Sequence, residues 1–141
     1  MIDSTVFLDT GFAIALLSPR DQYHAVALHL ADEIKRRRAK IITSDAVLLE
    51  IGAALAKAAY RPAAIKFIDG LRDDPDVEIV PLASHLFDTA YQLFHERPDK
   101  EWSLTDCVSF VIMGERRIVK ALAADEHFTQ SGFTPLLLQT G

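Results

Sequence analysis

Short, unbroken apolar runs alternate along this chain with longer segments whose apolar residues recur every three or four positions. That alternation leaves few folds open. Val6-Phe7-Leu8, Ile41-Ile42-Thr43, Val77 to Leu82, Ile118 to Ala123 and Leu136-Leu137-Leu138 are the runs. Each has the length and composition of a strand buried on both faces. Between them lie helical patterns: Phe12 to Leu17, Gln22 to Arg38 with Val26, Leu30 and Ile34 inward, Ala46 to Tyr60, Pro62 to Leu71, Ser84 to Phe94, and Ser103 to Gly114. One further turn starts at Glu126. Strands that alternate with helices predict an α/β fold, a parallel sheet covered by helices on both faces. The 141 residues suit one such domain, 1–141.

Composition narrows the setting. The single Cys107 has no intrachain partner for a disulfide, which fits a reducing compartment. Asp3 stands where a targeting leader would carry basic residues, and no apolar run reaches transmembrane length. The expectation is a cytoplasmic protein with no membrane partner. The net charge of −5 argues, taken alone, against a nucleic-acid ligand. The basic clusters Lys35 to Arg38 and Arg116-Arg117 fall at predicted helix ends, where cations offset the helix dipole. The acidic run Asp73-Asp74-Pro75-Asp76 reads as a solvated turn.

Four other acids stand at special places. Asp9 ends the first buried strand and is followed by Thr10-Gly11, and Asp125 repeats that arrangement after Ala123-Ala124. In open α/β sheets ligands gather at the carboxyl ends of strands, although an acid there also serves as a helix cap. Glu50 borders the apolar face of Val47, Leu48 and Ile51, where a carboxylate is costly unless solvated or compensated. Asp106 follows Ser103 by three residues in a capping-box pattern, a role compatible with metal binding. If the fold brings these acids together, each pair repels by about 4 kcal/mol at roughly 4 Å and an effective dielectric of about 20. A hard divalent cation, magnesium or manganese, turns that repulsion into binding and suits attack of water on a phosphodiester.

The stretches FLDTGFAIALL, SDAVLLEIGAAL, SLTDCVSFVIM and ALAADEHFTQSGF resemble the four acidic motifs of PIN domains, and most of all those of VapC-type toxin ribonucleases. The likeness spans nearly the whole chain. It implies a three-layer α/β/α fold, an endoribonuclease dependent on Mg2+ or Mn2+, an RNA substrate, a homodimer and a cognate antitoxin. Carried over by position, Asp9 and Asp106 are metal ligands, and Asp125 completes that site or holds a water. Glu50 binds a second metal or positions the attacking water. Thr10, Ser103 and Thr105 become neighbouring or phosphate contacts. Many relatives have Thr two residues before the last acid, where this chain has Ala123 and lacks that hydroxyl. His127 invites a general-base role, but the pattern around it is equally that of a loop histidine, which is the reading preferred here.

Two other enzyme classes fit the residues less well. Leu8-Asp9-Thr10-Gly11 resembles the triplet of retroviral-type aspartic proteases, but that fold is nearly all β and leaves Glu50, Asp106 and Asp125 without a reason. A haloacid-dehalogenase-type phosphatase needs a second Asp where Gly11 stands. A PIN-like RNA- or protein-binding module with weak or no nuclease activity is the remaining alternative.

Overall fold

The computed structural model describes residues 4–139; Asp3, read above for its charge, lies outside them. Its elements are β1 (Thr5–Leu8), α1 (Thr10–Leu17), α2 (His24–Arg37), β2 (Lys40–Ser44), α3 (Asp45–Ala54), α4 (Arg61–Asp73), β3 (Val77–Val80), α5 (Ser84–Glu96), α6 (Leu104–Arg116), β4 (Lys120–Leu122), α7 (Glu126–Gln130) and β5 (Thr134–Pro135), closed by a 3-10 turn at Leu136–Leu138. The five strands form one parallel sheet in the order β3-β2-β1-β4-β5. The helices flank it as an α/β/α sandwich.

β1 is central, and its apolar run explains why. Val6, Phe7 and Leu8 are buried on both faces of the sheet, a position that only a continuously apolar strand tolerates. Phe7 pairs with Ile42 of β2 on one side and Ala121 of β4 on the other. Chain progress therefore reverses direction at β1, to β2 and β3 on one side and later to β4 and β5 on the other. That reversal opens a crevice at the carboxyl ends of β1 and β4. Asp9 follows β1, its N–H donating to Leu122 O at 3.1 Å, so the two strand ends are tied where the acids begin. Thr43, fully buried in β2, donates its hydroxyl to Leu8 O at 2.8 Å and fixes the other side of the same strand end.

Several boundaries differ from the sequence reading, each for a local reason. The helix expected over Ala46 to Tyr60 stops at Ala54, with Leu55 as C-cap, and a new helix starts at Arg61. Pro62 falls in the first turn of that new helix, where its missing N–H leaves no bond unmade. Gly114, a natural stop, lies inside α6; Arg117 makes the left-handed exit instead, at φ 56°. Leu136-Leu137-Leu138 is a 3-10 turn and not a strand, because Pro135 ends the pairing of β5 after two residues. Leu136 and Leu137 stay buried, and Leu137 N–H donates to Ala123 O at 3.1 Å.

Candidate active site

The crevice at the ends of β1 and β4 opens into a cavity of about 660 Å³. Asp9, Thr10, Glu50, Ser103, Asp106 and Asp125 all line it, with Glu101, Glu126, His127, Tyr23, Gly11, Ile14, Ala124 and Leu138. Thr105 does not. It faces a neighbouring apolar groove of about 270 Å³ with Leu49, Leu82, Phe87 and Leu104, because it lies one residue around α6 from Asp106.

Asp9 occupies the N-cap position of α1, yet its side chain makes no capping hydrogen bond. The capping explanation for this residue is thereby removed. It is 7% exposed, and its carboxyl is pushed up to about 7, first by burial, then by the charges of Asp106, Glu50 and Asp125, against a backbone hydrogen bond from Thr10. Glu50, on the second turn of α3, accepts a 2.8 Å hydrogen bond from Thr10 Oγ1. That bond couples the residue after Asp9 to the helix that enters from β2.

Asp106 closes the capping box that the sequence predicts: its N–H donates to Ser103 Oγ at 3.0 Å, and its Oδ2 accepts from Ser103 N at 3.0 Å. The same Oδ2 lies 3.0 Å from His127 Nδ1. Asp125 caps α7, its Oδ1 accepting from His127 N at 2.9 Å, while its Oδ2 lies 3.2 Å from His127 Nδ1. The hydroxyl that Ala123 lacks is thus replaced as an orienting group by contacts within the Asp125-to-His127 turn. His127 is no mere loop residue, contrary to the sequence reading, because its ring sits between two of the four acids.

An aromatic cluster holds that spacing. Phe110 of α6 packs edge-on against Phe128 of α7 at 5.1 Å and against Trp102 at 5.0 Å. Trp102 also donates Nε1–H to Gln130 Oε1 at 3.0 Å. One turn up from this cluster stand Asp106 and, beside Phe128, His127.

Glu101 and Glu126 add two carboxylates that sequence reasoning did not assign to the site. Both sit in polar stretches where an acid is unremarkable, so only the fold reveals them. Six carboxylates therefore face one cavity whose lining, among the described residues, includes no lysine or arginine. Asp106, Asp125 and His127 each offer a ligand atom, and those atoms lie within 4.8 Å of one another. Converging carboxylates beside an imidazole are a donor set that a divalent cation fits.

Comparison with known proteins agrees with this geometry. The chain is 27% identical over 128 residues to the 23S rRNA-specific endonuclease VapC20 of Mycobacterium tuberculosis, covering 91% of this chain and 95% of the relative. The crystal structure of that protein, described as a Sarcin-Ricin loop cleaving toxin, superposes with a TM-score of 0.82 at 26% identity over 92% of this chain and 97% of the other. VapBC2 from Rickettsia felis, bound to a DNA fragment from its promoter, shares the fold with a TM-score of 0.63 at 13% identity, covering 92% and 96%. The PIN domain family matches residues 6–133, a span that holds both strand ends and both helices from which the acids project. On that match the chain belongs to the PIN domain family.

Proposed function

We propose that this chain is a divalent-metal-dependent endoribonuclease, the toxin of a toxin–antitoxin pair, working in the cytoplasm. The observation that carries the reading is the cavity with six carboxylates and, among the described residues, no lysine or arginine, centred on a buried acid whose carboxyl is pushed up to about 7. In this reading Asp9, Asp106 and Asp125 hold Mg2+ or Mn2+. A bound ion supplies the positive charge that draws in a phosphodiester and favours ionisation of the attacking water.

The chain's own groups do the rest. Glu50, its carboxylate oriented by Thr10, takes the proton of the attacking water or holds a second ion. As the water oxygen bonds to phosphorus, the bond to the leaving ribose oxygen breaks and that oxygen takes up a proton. Ser103 Oγ, which accepts from Asp106 N–H, keeps its own proton for a phosphate oxygen. Thr105 has no such part, since it faces the adjacent groove. Ile14, Tyr23 and Leu138 give the cavity an apolar wall suited to a flanking base.

The relative with a named target cleaves 23S rRNA, so a ribosomal RNA stem-loop is the first substrate to try. Cleavage is expected with Mg2+ or Mn2+, none with excess EDTA, and none for Asp9→Asn in a folded protein. Thermal stability should rise as metal is added to the wild type. Metal-dependent stabilisation without cleavage of any RNA would transfer the assignment to a binding module.

Homodimerisation belongs to the same proposal. Leu49 of α3 is 71% exposed, beside an α5 face on which Phe87, Tyr91 and Phe94 stack at 6.3 and 6.5 Å. A continuous apolar face of this kind is unusual on a monomer. A second copy of the chain covers it by two-fold symmetry, each face packing on its own image. The antitoxin is the remaining partner. No helix among the described residues is long and apolar enough to cross a membrane.

A further inference from the structure

We propose that His127 is itself a metal ligand, so that the centre is a mixed nitrogen–oxygen site selective for Mn2+ over Mg2+. The inference rests on the metal-site reading above and deepens it. Its basis is the position of one ring atom. His127 Nδ1 lies 3.0 Å from Asp106 Oδ2 and 3.2 Å from Asp125 Oδ2. In an octahedral shell with bonds of roughly 2.1 Å, neighbouring ligand atoms stand about 3.0 Å apart. The two separations from the ring nitrogen are thus those of adjacent ligands in such a shell, and one ligand atom from each of the three residues falls within 4.8 Å of the others.

The placement is built rather than incidental. Asp125 Oδ1 holds the His127 backbone N–H at 2.9 Å, and the neighbouring Phe128 is locked under Phe110. The side chain is 24% exposed, open to the cavity and not packed away. In the metal-free chain this ring bridges two carboxylates and moderates their repulsion. A cation between the same three atoms takes over that task, with the ring nitrogen's lone pair turned to it.

The chemistry predicts selectivity. Mg2+ demands oxygen ligands and gives up water reluctantly, whereas imidazole suits the transition metals. A site of carboxylates alone discriminates little between Mg2+ and Mn2+; a ring nitrogen favours Mn2+.

The test uses the full-length protein with Mn2+ and Mg2+ as probes. Isothermal titration calorimetry of wild type and His127→Gln is expected to show Mn2+ affinity falling at least about tenfold in the variant, with Mg2+ affinity changing by less than about threefold. His127→Asp, which keeps a ligand but an oxygen one, should bind both ions and lose the preference. Electron spin-echo modulation of the wild-type Mn2+ complex should show coupling to a directly bound 14N nucleus, a readout that needs no variant to fold. Absence of that coupling, or equal loss of both ions in His127→Gln, would make His127 a positioning residue and overturn the inference while leaving the metal site intact. If wild type binds neither ion, the metal-site reading falls and this inference with it.

Discussion

At Asp9 the metal-free chain holds a carboxyl group that is 7% exposed, crowded by three other acids and titrating at about 7 instead of 3.8. Between those two values the unfolded chain has released this proton while the folded chain retains it. Stability from this group therefore falls as pH rises from about 4 to 7, and levels off above that. A shift of about three units corresponds to about 4 kcal/mol. Asp9→Asn should abolish cleavage yet make the metal-free protein more stable than wild type at pH 8, with the difference vanishing near pH 4; urea melts at the two pH values measure it. Metal reverses the trend, because binding requires the ionised form and its affinity should climb through pH 7. Ser109 offers a second test at this scale. Its buried hydroxyl has no hydrogen-bond partner among the described residues, so Ser109→Ala should leave stability unchanged or raise it by up to about 1 kcal/mol in the same melts. Which residues can be read from sequence follows from similar logic. Asp9 and Asp125 stand out because an acid at the end of a buried parallel strand has few structural reasons to be there. His127 and Glu101 do not, since nothing in their local sequence tells that α7 and the start of α6 meet over the crevice.

Among the elements, α6 and α7 matter most for the site, because they carry Asp106 and His127 and touch through Phe110 and Phe128. Phe128→Ala removes a fully buried ring and is expected to cost about 3–5 kcal/mol. It should also weaken Mn2+ binding, since the spacing of Asp106, Asp125 and His127 depends on that contact. Calorimetry on the folded fraction at low temperature checks this. Element types were largely legible, for periodicity separates long amphipathic helices from short buried runs. Element ends were less so. The break after Ala54 falls inside a run of good helix formers that the apolar pattern carries on through Ala58. The apolar triplet Leu136 to Leu138 looks like any buried strand until Pro135 is seen to end the ladder.

For the whole molecule, the sheet order places the site, and the proposed dimer rests on the apolar residues of α3 and α5. Wild type should sediment as a dimer at micromolar concentration without antitoxin, and Leu49→Glu with Tyr91→Glu should make it monomeric. A monomeric wild type would remove the dimer from the proposal. The central position of β1 has a separate consequence, one of timing. β1 is made shortly before β2 and can pair with it soon afterwards, but its other edge stays open until β4 has been made. At about 5–20 residues per second, that wait lasts roughly 4–16 s. Asp125 and His127 emerge only after β4, so the last strand pairing next to β1 and the completion of the acidic centre are nearly one event. A chain assembled this way carries no complete acidic centre until β4 and α7 have both been made.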